Sequence, residues 1–351
     1  MRGVWLPGQR VVDVHETSDP EPGHGQVLLA PRASTICGSD LRAIYREHLG
    51  EGPEAYAGVV AGHEPAGEIV ALGEGVPDLA VGDRVVVYHI SGCGRCAECL
   101  RGYPISCTSP RRQAYGWQRD GGHADLLLAE AADVLVLPDS LSYLDGACVA
   151  CGFGTAYEAL RRIDVSGADR VLVTGLGPVG LAAGLLARAL GARVVGTDPV
   201  EARRAFAESV GATDVSVPAD LLGDALSGGA DAAVDCSGVG AAQAQGIDNL
   251  RRWGRMAFVG EGATLSLDVS SQVIHRQLTL VGSWVISTWR MRELLERLDR
   301  WQLHPHDIVT DRFPLDEADA AYRLADGVDG TPSVGKVAIE PQSTPQARRP
   351  V

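Results

Sequence analysis

The sequence predicts a two-domain α/β protein. A chain of 351 residues exceeds what one hydrophobic core usually serves. Up to about residue 145, short apolar runs such as QVLLAPRAS and DRVVVYHI are separated by Gly, Pro and Asp turns, which indicates a β-rich domain. From about residue 152 to 290, short apolar runs alternate with Ala-rich stretches of helical period, which is typical of a doubly wound parallel sheet with crossover helices.

The second domain is predicted as an insertion into the first. We place the first domain at residues 1–151 and 291–351 and the second at residues 152–290. After residue 290, MRELLERLDRW and RFPLDEADAAYRLADG have a helical pattern, and SVGKVAIEP is typical of a strand. The tail PQSTPQARRPV is polar and contains proline, so we expect it to fray.

Composition and charge restrict the function. Acidic residues outnumber basic ones 45 to 31, and the formal charge of −14 should repel nucleic acid and anionic membranes, which favours a small-molecule partner. No apolar run is long enough to span a bilayer, and the start MRGVWLPGQR lacks the apolar region of a secretory signal, so we expect a cytoplasmic protein. The basic residues are arginines everywhere except Lys336, and we do not interpret this bias toward arginine as functional.

Four of the eight cysteines lie in the short segment 91–108. Their spacing, C-x2-C-x2-C-x7-C, offers four thiolates to a tetrahedral zinc ion with little loss of loop entropy. Because four thiolates leave no corner open for substrate, we predict a structural zinc site, and free thiols in a loop are the alternative. The predicted ligands are Cys93, Cys96, Cys99 and Cys107.

A glycine-rich loop predicts dinucleotide binding. The motif G-x-G-x-x-G follows the strand-like VLVT and opens the helix-like VGLAAGLLARAL, and Asp198 ends the next strand-like run. A carboxylate there accepts hydrogen bonds from ribose hydroxyls and repels a 2′-phosphate, which favours NAD over NADP. The alternative is an ordinary βα turn with a helix-capping Asp. The predicted cofactor-binding residues are Gly175, Gly177, Pro178, Val179, Gly180, Asp198 and Arg203.

Further motifs surround Cys37 (CGSD), His63 (GHEPAG) and Cys151 (CGFGTAY). Together with the four-cysteine segment and GLGPVG, their order and spacing resemble the zinc-dependent medium-chain alcohol and polyol dehydrogenases, up to about residue 340. The resemblance implies a GroES-like, partly open β-barrel catalytic domain and a Rossmann NAD domain with a doubly wound parallel sheet. It also implies an enzyme that transfers a hydride between an alcohol and NAD.

Two zinc ions per chain follow from the resemblance, one structural and one catalytic. The catalytic ion would be held by Cys37, His63 and Cys151, with its fourth position open, and would act as a Lewis acid on the substrate oxygen. Cys148 is a rival ligand, ranked second because CGFGTAY matches the family motif at Cys151. Taken singly, the cysteines could be small buried hydrophobes and His63 an ordinary core histidine.

Three nearby residues resemble catalytic residues of the family. Ser39 resembles the hydroxyl that passes the substrate proton outward, Asp40 the acid that orients the ligating histidine, and Glu64 the carboxylate behind the metal. The two acids could instead be plain surface or capping carboxylates. Many relatives carry a relay histidine at the position of Arg42, and an arginine cannot act as a base near neutrality.

The substrate is predicted less closely than the chemistry. His89 and Trp117 fall where relatives line the substrate pocket, and His89 could bind a second hydroxyl, which favours a polyol, cyclitol or sugar-like secondary alcohol. A strand-capping His and a packing Trp are the alternatives. An amino-alcohol, threonine-type or simple alcohol substrate remains open. So do a non-catalytic recognition protein built on the four-cysteine segment and a zinc-free reductase. The family implies a homodimer or homotetramer.

Overall fold

A computed structural model describes residues 1–330 and 333–341, so the tail predicted to fray lies outside the described residues after Pro341. The chain divides into two compact units. The first unit comprises Met1–Cys151 and the described residues from Ser287 onward, and the second comprises Gly152–Ile286. The second junction precedes residue 290 because the helix that follows is bonded to the first unit: the Thr288 N–H donates to Gly102 O at 2.8 Å.

Seventeen strands and ten α-helices occur in the described residues. The strands are β1 (Arg2–Gly8), β2 (Val11–Glu16), β3 (Gln26–Thr35), β4 (Glu64–Leu72), β5 (Arg84–Val87), β6 (Ile90–Ser91), β7 (Gln113–Ala114), β8 (Leu127–Glu130), β9 (Val134–Val136), β10 (Arg170–Thr174), β11 (Arg193–Thr197), β12 (Val215–Val217), β13 (Ala230–Asp235), β14 (Leu250–Phe258), β15 (Thr279–Gly282), β16 (Val309–Pro314) and β17 (Lys336–Glu340). The helices are α1 (Gly38–Asp40), α2 (Ala97–Leu100), α3 (Tyr143–Cys148), α4 (Gly154–Arg162), α5 (Pro178–Ala189), α6 (Glu201–Ser209), α7 (Leu222–Ala225), α8 (Gly240–Asp248), α9 (Thr288–Trp301) and α10 (Ala318–Asp326).

The first unit is built on a seven-stranded sheet of order β16-β17-β3-β4-β5-β9, in which β8 also pairs with β3. The long strand β3 carries this branch because β8 pairs with its first residues and β17 with its last. All pairs are antiparallel except β16 with β17. The predicted partly open, barrel-like sheet with a strand returning from the end of the chain is confirmed.

Two apolar cores stabilise the first unit. One lies within the sheet and includes Val27, Ile69 and Val85. The other joins the beginning and the end of the chain, since Leu6 of β1 packs in the same cluster as Tyr322 of α10. Both segments of the first unit therefore share one folded body.

The second unit is a six-stranded parallel sheet of order β12-β11-β10-β13-β14-β15. Counted along this unit the order is 3-2-1-4-5-6, which is that of a doubly wound dinucleotide-binding fold. The apolar runs of the sequence are its buried strands, as in β10, where Val171, Leu172 and Val173 are fully buried. The predicted doubly wound fold is confirmed. Among the described residues, no helix is both long and apolar enough to cross a membrane.

The turn between β10 and α5 depends on two glycines. Gly175 has a φ of +85°, which favours glycine, and an added Cβ would lie 2.9 Å from the backbone of Ser237. A Cβ on Gly180 would overlap the carbonyl oxygen of Gly175. Helix α5 can therefore approach the strand only because both side chains are absent.

We expect Gly180→Ala to destabilise the second unit by about 1–3 kcal/mol, because the added methyl group has no room. Gly223→Ala is the matched control, since Gly223 also lies in a helix and an added Cβ there meets no atom within 4 Å. Thermal unfolding should show a lower midpoint for Gly180→Ala alone. Equal midpoints for the two variants would contradict this account of the turn.

Candidate active site and metal centres

The four cysteines predicted to bind structural zinc lie close together in segment 91–108, which we call the lobe. The sulfur atoms of Cys93, Cys96, Cys99 and Cys107 all lie within 4.8 Å of one another. The Cys96 and Cys107 sulfurs are 3.8 Å apart, close to the distance of about 3.8 Å expected for two thiolates on one tetrahedral zinc ion. Backbone N–H groups donate to several of these sulfurs, as from Cys96 to Cys93 Sγ at 3.3 Å. The lobe is therefore shaped to hold thiolates around a cation.

Hydrogen bonds from the backbone lower the pKa values of two cysteines in the lobe. The backbone N–H of Cys99 is the main cause that lowers the pKa of Cys96 to about 6. The pKa of Cys93 is also lowered, chiefly by the backbone N–H of Arg95. Burial acts in the other direction on Cys99 and raises its pKa to about 12. A bound divalent cation would deprotonate all four thiols, since thiolate is the form that binds metal.

A second group of metal-ligating side chains contains Cys37, His63, Cys151 and Glu64. One ligand atom from each lies within 4.8 Å of the others, and the two sulfurs are 4.0 Å apart. His63 and Glu64 are buried. Cys148, the rival ligand, is fully buried but lies outside this group. The structure thus brings together the three predicted ligands and the predicted carboxylate.

Local backbone structure positions each ligand of this group. Cys37 is the N-cap of α1 and follows the end of β3. His63 follows Gly62, whose φ of +93° turns the chain into β4 and whose added Cβ would lie 2.5 Å from the His123 ring. Cys151 lies in the π-helical segment Val149–Phe153. Such π-helical turns often occur at functional sites, where they reorient a side chain.

Asp40 connects two of the ligands. One oxygen of its fully buried carboxylate accepts from His63 Nδ1 at 2.7 Å, and the other accepts from the backbone N–H of Cys37 at 3.0 Å. The first bond fixes the histidine tautomer and leaves Nε2 as the nitrogen available to a metal ion. Asp40 is therefore neither a surface carboxylate nor only a helix cap.

The sulfurs of Cys37 and Cys151 are 4.0 Å apart and can form a hydrogen bond with each other. A hydrogen bond with Cys151 is the largest cause that lowers the pKa of Cys37 well below its ordinary value, against the opposing effect of burial. The same hydrogen bond raises the pKa of Cys151. A bound divalent cation would hold both sulfurs as thiolates.

Glu64 has a charged partner that the sequence analysis did not identify. Its Oε2 lies 2.6 Å from Lys336 Nζ and accepts from Thr35 Oγ1. Lys336 is 3% exposed and Glu64 is fully buried. Burial raises the pKa of Glu64 to about 7, although Lys336 opposes the shift. The one signal available beforehand was that Lys336 is the only lysine in the chain.

The predicted substrate residues lie beside this group. The His89 and His63 ring centroids are 5.2 Å apart, and the Trp117 ring is 6.5 Å from His63. His89 Nδ1 donates to Ala150 O at 2.7 Å, and burial is the main cause that lowers the pKa of His89 to about 4. Neutral His89 therefore presents Nε2 as an acceptor. Ser39 is partly buried in α1, and Arg42 lies in the π-helical segment Leu41–Tyr45.

The glycine-rich loop of the second unit has room for a ligand at one position. A Cβ on Gly177 would meet no atom within 4 Å, and Pro178 and Val179 then begin α5. Asp198 accepts from the Leu176 N–H and from the Val200 N–H, each at 2.9 Å. The carboxylate thus fastens the loop to the end of β11, and each oxygen retains a lone pair for a ligand. Arg203 Nη1 lies 3.9 Å from Asp198 Oδ2.

A third cluster, Asp145 with His304 and His306, also has ligand-type atoms within 4.8 Å. The Asp145 carboxylate accepts four hydrogen bonds: Ser142 donates N–H and Oγ–H, and His306 donates N–H and Nδ1–H, all at 2.7–2.9 Å. A carboxylate with both oxygens used in this way caps α3 and fixes the chain entering the 3₁₀ segment Pro305–Ile308. We interpret this cluster as structural.

Two family models match the chain. An alcohol dehydrogenase GroES-like domain matches residues 23–139, and a zinc-binding dehydrogenase domain matches residues 178–300. The uncharacterized zinc-type alcohol dehydrogenase-like protein YphC of Escherichia coli (strain K12) is 46% identical over 336 residues, which covers 92% of this chain and 95% of that protein.

Relatives with named substrates are more distant. The sorbitol dehydrogenase of Halalkalibacterium halodurans is 32% identical, covering 88% of this chain and 91% of that protein. The L-threonine 3-dehydrogenase of Pseudoalteromonas atlantica is also 32% identical, covering 90% and 91%. A solved structure of an NAD-dependent alcohol dehydrogenase matches with a TM-score of 0.82 at 27% identity, covering 97% of this chain and 99% of the other.

We expect Asp145→Asn to lower the free energy of unfolding by about 1.5–3 kcal/mol, because an amide cannot accept all four bonds. Asp307→Asn is the control, since Asp307 is 58% exposed and its nearest histidine nitrogen is 3.7 Å away; it should change stability by less than about 0.5 kcal/mol. Thermal unfolding at fixed zinc concentration measures both. A stability for Asp145→Asn equal to that of the control would show that the cluster does not cap α3.

Proposed function

Because the chain belongs to the zinc-dependent medium-chain alcohol dehydrogenase family, we propose that it is an NAD-dependent oxidoreductase acting on a secondary alcohol of polyol, cyclitol or sugar-like type. The substrate carbon gives a hydride to the nicotinamide and its hydroxyl gives a proton to solvent. The reverse reaction reduces the corresponding ketone.

The observation that carries the proposal is the convergence of Cys37, His63 and Cys151. They are distant in sequence, yet their ligand atoms meet within 4.8 Å. Two sulfurs and one imidazole nitrogen suit zinc and leave one of four tetrahedral positions for a substrate. When bound, zinc would supply Lewis-acid polarisation of the substrate oxygen. The four lobe cysteines would hold a second, structural zinc, which makes two per chain.

The neighbouring residues have roles that follow from their own chemistry. Asp40 accepts a hydrogen bond from His63 Nδ1 and so leaves Nε2 as the nitrogen that would bind the metal ion. Ser39 is proposed to accept the substrate proton and pass it outward. Arg42 cannot take that proton onward, because its guanidinium stays protonated at any pH near neutrality. We therefore propose that water or another base, and not Arg42, carries the proton onward.

NAD is proposed as the cofactor of the second unit. The space at Gly177 lets a pyrophosphate approach the backbone at the N-terminus of α5, where helix N–H groups attract anions. Asp198 disfavours a 2′-phosphate at the end of β11, and Arg203 beside it is proposed to bind the adenosine side of the cofactor. The NAD dependence named for the similar solved structure supports this choice.

The preference for a polyol rests on His89. With Nδ1 committed to Ala150, the neutral ring has one lone pair left, which can accept a hydrogen bond from a second substrate hydroxyl. A sorbitol dehydrogenase among the relatives supports this substrate class. The equally distant L-threonine 3-dehydrogenase supports an amino-alcohol as the second candidate.

A homodimer or homotetramer is proposed as the assembly. The second unit exposes large apolar side chains at Trp253, Ile274 and Trp284, and exposed apolar surface of this kind favours association.

We expect the purified protein to contain two zinc ions per chain and to form NADH with a panel of secondary alcohols, more efficiently than NADPH. Cys37→Ser should lose one zinc and all turnover and keep its fold, because only the substrate-facing ion is affected. Cys96→Ser should lose one zinc and lower the thermal midpoint, because the lobe loses its cation. Metal analysis and absorbance of the reduced cofactor measure these outcomes.

Results of three kinds would contradict parts of this proposal. One zinc per chain with no alcohol-dependent absorbance would favour a recognition protein built on the four-cysteine lobe. A wide preference for NADP would show that Asp198 does not select the cofactor. Turnover confined to L-threonine would replace the polyol by the amino-alcohol.

We expect His89→Phe to raise the KM for vicinal diols about tenfold more than for mono-alcohols, because the lost hydrogen bond is worth about 1–1.5 kcal/mol. The mono-alcohol serves as the control within the same variant, since only the diol offers a second hydroxyl. Steady-state kinetics with paired substrates measure the difference. Equal increases in the two KM values would remove His89 from substrate recognition.

A further inference from the structure

The only lysine of the chain lies beside the proposed catalytic zinc site. It is brought there by three neighbouring strands of one sheet: Lys336 begins β17, Thr35 ends β3, and Glu64 begins β4. Strand register fixes the arrangement, since Thr35 pairs with Glu64 and also with Ala338. The ammonium therefore reaches the carboxylate from a segment that follows the inserted second unit.

The two oxygens of Glu64 differ in their surroundings. Oε2 is bonded to Lys336 Nζ at 2.6 Å and to Thr35 Oγ1, whereas Oε1 is buried without a hydrogen-bond partner. A carboxylate oxygen of Glu64 lies within 4.8 Å of the ligand atoms of Cys37, His63 and Cys151. An anion in that position is a potential fourth ligand, and a zinc ion with four protein ligands has no place for an alcohol.

Charge balance indicates what restrains the carboxylate. Two thiolates and a divalent cation sum to zero, so the buried carboxylates of Asp40 and Glu64 both add negative charge. Asp40 accepts from His63 Nδ1 and from the Cys37 N–H, whereas Glu64 requires a separate partner. Lys336 supplies the partner. Without it, the nearest cation for Glu64 would be the metal ion itself.

We propose that Lys336 is a positioning residue that holds Glu64 back from the zinc ion and so keeps the substrate position open. The proposal rests on the proposed function, because it needs a metal ion at Cys37, His63 and Cys151. A purely structural ion pair would stabilise the sheet in the same way but would not change the ligands of the metal.

Cobalt exchanged into the three-ligand site reports its coordination through visible absorption. The Cys37→Ser variant, which keeps only the lobe site, supplies the blank. We expect Lys336→Met to shift the cobalt spectrum and to slow removal of the metal by a chelator at least about tenfold, because Glu64 becomes a fourth ligand. Lys336→Arg should keep the wild-type spectrum. Lys336→Met/Glu64→Gln should restore it, because the amide is a far weaker ligand.

Glu64→Gln alone is the decisive variant if Lys336→Met does not fold. It should leave the wild-type spectrum unchanged, because the carboxylate is held away from the metal when Lys336 is present. A shifted spectrum for Glu64→Gln alone would show that Glu64 already binds the metal and would overturn the proposal. So would a wild-type spectrum and chelation rate for folded, cobalt-loaded Lys336→Met.

Failure of the proposed function gives a different result. In that case wild-type protein would show no cobalt absorption beyond that of Cys37→Ser, and no variant of Lys336 would matter. Metal bound in the wild type with a spectrum insensitive to Lys336 would reject the positioning role alone.

Discussion

The convergence of three ligand-bearing segments is the constraint on which the proposed catalytic site depends. Cys37 lies just after β3, His63 just before β4, and Cys151 in the segment that follows α3. Antiparallel pairing of β3 with β4 brings the first two together, and Asp40 then bonds to both segments. The pairing of the strands and the bonds of Asp40 therefore position the three ligand-bearing segments relative to one another.

The parts of the site that the sequence predicted are those that local motifs encode. Close spacing predicts the four-cysteine lobe because the chelate loops are short, and the glycine-rich loop is recognisable because strand, turn and helix follow one another directly. Cys37, His63 and Cys151 were predicted through resemblance, since nothing in their spacing alone brings them together. The short apolar runs of the sequence were sufficient to predict the sheets of both units.

Residues that act through distant partners could not be predicted in this way. Lys336 and Glu64 meet only because β17 returns to the sheet, and His306 comes from the chain segment that follows the inserted unit. Asp198 was predicted from its place after a strand, but its bond to the Leu176 N–H, which fastens the loop, depends on a turn geometry that no motif states. Similarity does not select the substrate either, because the relatives named for sorbitol and for threonine are equally similar to this chain.

The burial of the one lysine has a practical consequence for handling the protein. Amine-directed reagents such as activated esters and dialdehydes find no other side-chain amine in the sequence, and Lys336 is only 3% exposed. Apart from the α-amino group of each chain, these reagents would therefore have almost no amine to join, and cross-linking would underestimate the number of subunits. Subunit number is better determined by light scattering or sedimentation, and surface attachment would need carboxylate- or guanidinium-directed chemistry.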